Sequence, residues 1–143
     1  MPVSGLNFDR ISVERTNEPA QQVNIKNNLF IKDVKEQELQ IGEQKKTVLR
    51  FDFEFSIAYE PKVGSIVIGG HVIYLDENNK IKDVTNNWKK KKEVEPKLME
   101  QVLNVALYRC TVKALDLAQE LNLPAHMRMP RIKTSQDTKN YIG

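Results

Sequence analysis

One stretch of the chain constrains its fold more than any other, because apolar and polar residues alternate through it without interruption. Six apolar side chains occupy every second position from Leu49 to Tyr59, and polar or small residues stand between them. A period of two places successive side chains on opposite faces, so this stretch predicts a strand with one buried face, at about 47–60. The segment 60–64, Glu-Pro-Lys-Val-Gly, then predicts a turn into a further strand.

The strand after this turn, at about 65–75, is apolar on both faces. Ile66 and Ile68 fall on one face, whereas Val67 and Ile73 fall on the other. A central strand of an antiparallel sheet has this pattern, and so does a strand whose second face forms a subunit interface or a groove for another chain. The pair Gly69-Gly70 indicates a bulge or a close approach of another backbone.

Two weaker strand signals precede this hairpin, at about 6–15 and 23–39. In the first, the apolar phase slips between Phe8 and Ile11. Four strands joined by short connections predict a four-stranded antiparallel sheet, and the order along the chain favours a meander.

The period changes to that of a helix after residue 76. Ile81, Val84 and Trp88 are spaced by three and four, which predicts a short helix or crossover at 81–92. Pro96 then suits the first position of a long C-terminal helix over 96–122. The sequence therefore predicts an α+β fold, with both segments packed on one face of the sheet.

The long helix carries more apolar surface than one sheet face covers. A second subunit is the simplest cover, so we expect a homo-oligomer, either a dimer or a dimer of dimers. The residues predicted for that interface are Met99, Leu103, Ala106, Leu107, Cys110 and Leu117.

Length and composition place limits on the classes of function. The 143 residues fit a single domain, predicted at 1–132, with a polar and loosely ordered tail at 133–143. No apolar run is long enough to span a membrane and no signal peptide is visible, so we expect a cytoplasmic protein without membrane insertion. One cysteine and two histidines argue against disulfides and most metal sites, and we predict neither a metal nor a cofactor.

No motif of a common active site is present, so we predict that the protein is not an enzyme. Asp52 and Glu54 share a strand face, but Arg50 beside them is typical of a solvated sheet surface. An enzyme or ligand carrier with a pocket bordered by His71 and Tyr74 is the weakest of the alternatives.

The second half of the chain holds the positive charge. Residues 1–75 carry nine basic and ten acidic side chains, and residues 76–143 carry thirteen and nine. The cluster Lys89, Lys90, Lys91 and Lys92 next to Trp88 is the basis for an alternative function, a small nucleic-acid or anion-binding module with the indole stacked on a base. Flanking Glu93 and Glu95 favour a solvated loop, and the leading interpretation expects no nucleic acid.

The order of elements and two local stretches resemble the SecB family of export chaperones. Residues 120–124, Glu-Leu-Asn-Leu-Pro, and 129–132, Met-Pro-Arg-Ile, look like the Leu-Asn-Leu-Ala-Pro-Val stretch of that family with an insertion. Residues 11–15 look like its first strand, and 51–59 with 64–75 look like its central hairpin. The resemblance covers about 6–132. It departs from the family in the second helix after the proline-rich linker and in the mixed charges of the sheet face.

The resemblance implies an ATP-independent chaperone that binds unfolded or preprotein chains, with a translocation motor as a further partner in protein export. A holdase of this kind needs exposed apolar surface and no nucleotide site. On this basis client contacts are predicted on one strand face and on the crossover. A place in the core or in a subunit interface is the alternative for the same residues, which are Val67, His71, Ile73, Ile81, Val84 and Trp88.

Overall fold

The computed structural model describes residues 3–16 and 22–132, and the predicted tail at 133–143 lies outside them. Four strands are followed by two helices, which confirms the predicted α+β class. The elements are β1 (Val3–Arg15), β2 (Asn24–Ile41), β3 (Gln44–Glu60), β4 (Gly64–Tyr74), α1 (Asn78–Lys91) and α2 (Pro96–Glu120). The hairpin between β2 and β3 is longer than predicted, because polar residues around Gly42 continue the pairing where no apolar alternation marks it.

The four strands form one antiparallel sheet in the order β1-β4-β3-β2. The predicted meander is correct for β2, β3 and β4 but wrong for β1, which pairs with β4 at the other side of the sheet. Traced from the last strand to the first, this is the order of a Greek key, in which three consecutive strands are neighbours and the fourth returns to lie beside the first of them. Pairing with β1 places β4 in the interior of the sheet, where Ile66, Ile68 and Val72 are fully buried on the helix side and Val67 is half-buried on the other.

The phase slip in β1 is a β-bulge. The register shifts between Phe8 and Arg10, so Asp9 is the extra residue, and the shift lies opposite Gly69 and Gly70 of β4. A Cβ added at Gly70 would lie 2.4 Å from the Asn7 carbonyl oxygen and 2.8 Å from the Phe53 ring. The bulge therefore lies in β1 opposite the glycine pair and not at the pair itself, and the backbone that approaches Gly70 is the β1 strand of the same chain.

The core lies between the helices and the face of the sheet that carries the alternating apolar residues of β3. Phe51, Phe53, Phe55 and Ile57 of β3 are each at most 1% exposed. Both helices contribute residues to the same cluster, so they pack on one face as predicted.

The long helix α2 contacts the sheet through residues spaced strictly by four. Its fully or nearly fully buried positions are Leu98, Val102, Ala106, Cys110, Ala114 and Ala118. A ridge of i, i+4 neighbours winds around an α-helix. The buried stripe therefore covers more of the circumference than a straight stripe, which explains part of the wide apolar surface seen in the sequence.

Two residues predicted for a subunit interface have a different place. Ala106 and Cys110 point into the core of this chain, where small side chains let α2 approach the sheet. Leu107 is exposed, and Met99, Leu103 and Leu117 are half-buried. Within the described ranges, no helix has the length and apolar character needed to cross a membrane.

Candidate functional site

The outer face of the sheet, opposite the helices, carries a network of charged side chains centred on Arg50. Its Nε donates a hydrogen bond to Asp52 Oδ1 over 2.8 Å, and its Nη2 lies 3.5 Å from Asp9 Oδ2. The same Asp9 oxygen lies 2.8 Å from Nδ1 of His71, and Lys35 Nζ lies 3.4 Å from Asp52. The network joins β1, β4, β3 and β2. The β-bulge is the feature of β1 that brings Asp9 to Arg50 and His71.

Asp9, Asp52 and His71 offer donor atoms that all lie within 4.8 Å of one another, close enough for one metal ion. The Arg50 guanidinium, however, already contacts both carboxylates and supplies the positive charge that a metal would bring. Asp52 is further paired with Lys35. We therefore regard this group as an ion-pair network that fastens β1 to the sheet.

This network occupies the strand face on which client contacts were predicted. His71 is half-buried and held by Asp9, and Ile73 is only 6% exposed although it lies outside the main core cluster. Val67 is half-buried. Tyr74 belongs to the core on the other face, so His71 and Tyr74 do not border a common pocket.

The predicted contacts on α1 are also placed inside the molecule. Ile81 is fully buried, and Trp88 is 8% exposed with its Nε1 donating to Asp33 Oδ1 over 3.2 Å. The Lys92 ammonium lies 5.1 Å from the centre of the Trp88 ring. Apolar residues spaced by three and four give the same sequence pattern whether they pack on the chain's own sheet or bind a client. In this structure Ile81 and Trp88 pack on the sheet. The indole is thus not available to stack on a nucleic-acid base.

Val84 lines a cleft of about 420 Å³ between α1, the start of α2 and the end of β4. Four carboxylates line the same cleft, with Lys80 as a cation. Burial raises the pKa of the Tyr74 hydroxyl, and the nearby Asp76 and Glu95 raise it further. The cleft is therefore acidic rather than a continuation of an apolar client surface. The four carboxylates belong to Asp76, Asp83, Glu93 and Glu95.

Cys110 shows no sign of chemical activity. Its thiol is fully buried in the core, and burial raises its pKa to about 12 although the charge of Arg109 acts in the opposite direction. A thiol at such a pKa is protonated and unreactive at neutral pH. Cys110 is thus a small core residue, as its place in the apolar helix predicts.

The segment after α2 runs across the apolar face of the sheet and completes the core. Leu123 is buried, the Pro124 carbonyl accepts a 2.7 Å hydrogen bond from Tyr59 Oη, and the His126 ring meets the Phe55 ring edge-on at 5.8 Å. Arg15 donates to the carbonyls of residues 121 and 122. Burial lowers the pKa of His126, whose Nδ1 is buried without a hydrogen-bond partner.

Exposed apolar side chains are concentrated at three places that the sequence did not single out as client sites. One is the two edge strands, one is the outward side of α2, and one is the segment that follows His126. On the edge strands the exposed residues are Ile11, Phe30 and Ile41. On α2 they are Leu107, Tyr108 and Val112, and after His126 they are Met127, Met129 and Ile132.

The edge strand β2 combines apolar side chains with a free backbone edge. It is 18 residues long, and among residues 3–16 and 22–132 it pairs with β3 on one side only. Phe30 is 40% exposed, and Leu29 and Ile31 are only half-buried against the core. A long unpaired strand edge is a template for a further strand.

Lysines commonly protect such an edge, but those of β2 are drawn toward the neighbouring strand. Lys26 Nζ lies 3.5 Å from Glu60, Lys35 Nζ lies 3.4 Å from Asp52, and Lys32 Nζ lies 4.0 Å from Glu54. All three carboxylates belong to β3. The ammonium groups therefore lie over the sheet rather than beyond its edge, and the edge itself stays accessible.

Comparisons with known proteins add little to this description. No protein-family model matches the sequence, and no curated protein matches it. Among solved structures, the chain is similar to a SecB-like chaperone of Mycobacterium tuberculosis in complex with a ChAD peptide from the HigA1 antitoxin. The similarity covers 92% of this chain and 90% of that one, with a TM-score of 0.43 and 13% identity. We take neither family nor function from a likeness at this level.

Proposed function

We propose that the protein is an ATP-independent chaperone that holds unfolded polypeptide segments along the free edge of β2. The observation that supports this function is the 18-residue edge strand with half-buried and exposed apolar residues beside it. Binding to the unfolded state lowers the concentration of free unfolded chains and so delays their aggregation. No nucleotide is required for such mass action.

Main-chain pairing suits a binder whose clients differ in sequence. An extended client segment added to β2 forms hydrogen bonds through its backbone, which every client has, and its side chains alternate between the two faces. On the core side the client would meet Leu29 and Ile31, and on the outer side Phe30. Met127 and Met129 are exposed after a segment anchored on Phe55, which pairs with Leu29. Methionine adapts well to varied apolar partners.

The test is suppression of the light scattering of a heat-denatured client by two matched variants. Phe30→Lys replaces the exposed apolar side chain at the β2 edge with a charged one, and Ile11→Lys makes the same change at the β1 edge, where the side chain is 41% exposed against 40% for Phe30. We expect Phe30→Lys to reduce suppression severalfold and Ile11→Lys to leave it within a factor of two, while the two variants lose similar amounts of unfolding free energy because the two side chains are equally exposed. Equal suppression by the two variants would contradict binding at β2.

We further propose a homo-oligomer in which a second copy covers the outward side of α2. Leu107, Tyr108 and Val112 are exposed there, and Tyr108 is 71% exposed. Clusters of exposed apolar residues of this kind are typical of protein interfaces.

In its finer form the proposal places the protein in the cytoplasm, with preproteins as clients and a translocation motor that receives them for export. Its support is the sequence resemblance described above. The protein acts in this proposal without catalysis, since the charged groups around Arg50 neutralise one another and Cys110 is buried.

A further inference from the structure

The surface of α1 is the most strongly charged part of the molecule. From residue 78 to 92 the chain has six lysines and one aspartate, a net charge of +5, whereas the whole chain carries +3. All six lysines are exposed. They are Lys80, Lys82, Lys89, Lys90, Lys91 and Lys92, and we call them the α1 lysines.

The α1 lysines differ in their partners from five basic residues of the sheet and of α2. Lys26, Lys32, Lys35, Arg50 and Lys113 each lie within 4.0 Å of a carboxylate oxygen. None of the α1 lysines has such an ion pair with any residue in 3–16 or 22–132. Among the described residues, their charge is therefore not neutralised by direct ion pairs.

Helix stability accounts for only part of this charge. Lys89, Lys90 and Lys91 lie in the last turn, where the negative end of the helix dipole favours cations. Lys80 lies in the first turn, where the dipole disfavours a cation, and that turn has no acidic residue. A stable helix would therefore not require the lysine in the first turn.

The buried side of α1 orients the charges. Ile81, Thr85 and Trp88 face the core, and at 100° per residue Lys82 and Lys89, seven apart, lie on one flank of the helix. Lys90 projects away from the core together with Asn79, Asp83 and Asn86, and the carboxylate of Asp83 offsets part of the positive charge on this side. Ammonium and amide groups are both donors to phosphate oxygens. Lys80 and Lys91 occupy the other flank, where Glu93 and Glu95 are close and reduce their effect.

We infer that α1 binds the phosphate backbone of double-stranded DNA, mainly through Lys82, Lys89 and Lys90. Binding to single strands ordinarily uses exposed aromatic rings on which bases stack. The aromatic ring of α1, Trp88, is buried under Lys92. Duplex binding requires only cations placed against phosphates, and the α1 lysines supply these without base recognition. This activity does not depend on the proposed client site, which lies on β2.

The experiment measures fluorescence anisotropy of a labelled mixed-sequence duplex of about 20 base pairs over a range of salt concentrations. With about three phosphates neutralised, affinity should fall about 40-fold between about 50 and 200 mM salt. The variant Lys82→Gln with Lys89→Gln should lower the slope of log affinity against log salt by about two. Lys26→Gln with Lys113→Gln removes the same charge elsewhere and should leave the slope unchanged. The fluorescence of Trp88 reports whether each variant is folded.

Three results would overturn the inference. The first is the absence of salt-dependent binding to duplex DNA by the wild-type protein at low salt. The second is an equal loss of affinity in both double variants, which would indicate a general charge effect. The third is tighter binding to single-stranded RNA or to poly-glutamate than to the duplex, which would assign α1 to a different class of partner.

Discussion

Gly70 illustrates how a single residue holds two strands together. Its hydrogen side chain lets the β1 backbone and the Phe53 ring approach β4 opposite the Asp9 bulge. We expect Gly70→Ala to lower the free energy of unfolding by about 1 to 3 kcal/mol, because an added methyl group has no space there. Gly5→Ala is the control, since a Cβ at Gly5 meets nothing within 4 Å. Urea unfolding measures both, and equal stability of the two variants would contradict this packing.

His126 links stability to pH. Burial lowers its pKa from the ordinary 6.5, so the unfolded chain binds a proton at a higher pH than the folded one. Its contribution is complete above pH 6.5 and is lost as the pH falls from 6.5 through the folded-state pKa.

His126→Phe keeps an aromatic ring beside Phe55 but removes the titration. We expect the variant to lose less stability than the wild type between about pH 7.5 and about pH 5.5, as measured by urea unfolding. Identical losses in the two proteins would show that His126 does not titrate differently on folding.

Residue roles were the least predictable from sequence. The sequence places Ile81 and Trp88 on one apolar side of α1. Whether that side packs against the sheet or binds another chain depends on where α1 docks, which the sequence does not give. Arg50 and Asp9 were not recognised as partners because 41 residues separate them. The phase slip in β1 is the one sequence signal near this contact. It indicates the bulge, but it does not indicate which side chains of the other strands meet Asp9 there.

Among the elements, β1 is joined to β3 through the charged network in addition to its backbone pairing with β4. Arg50→Ala leaves Asp9 and Asp52 without their shared cation, and we expect a loss of about 1 to 3 kcal/mol in unfolding free energy. Backbone amides of β1 should exchange hydrogen faster in this variant, while those of β3 change less. The control Lys113→Ala removes an exposed ion pair and should cost less than about 0.5 kcal/mol. Unchanged exchange in β1 would contradict a fastening role for Arg50.

Elements were predicted well where periodicity is strong and poorly where pairing is distant. The alternation in β3 fixes its buried face, and the two-sided β4 indicates an interior strand. The place of β1 beside β4 could not be deduced, because neither connection lengths nor periodicity distinguishes it from a place beside β2. The wide apolar surface of α2 arises in part because its buried residues form a ridge that winds around the helix. The sequence pattern alone does not distinguish this ridge from a subunit interface.

For the molecule as a whole, the exposed apolar residues on the outward side of α2 predict self-association. Leu107→Lys with Val112→Lys places two charges where a second copy would pack, so we expect the mass from light scattering to fall to that of a monomer. Gln119→Lys adds a charge at the exposed end of α2 and should leave the mass unchanged. A wild-type protein that is monomeric at micromolar concentration would contradict the proposed oligomer without affecting the β2 site.

Hydrogen exchange on the wild-type protein, with and without a saturating unfolded client, is the decisive test of client binding along β2. If clients add to the free edge, amides in residues 24–41 gain protection on binding, while those of β1, the other edge strand, change little. Protection confined to β1, α2 or the outer sheet face, with none gained in 24–41, would contradict binding along β2.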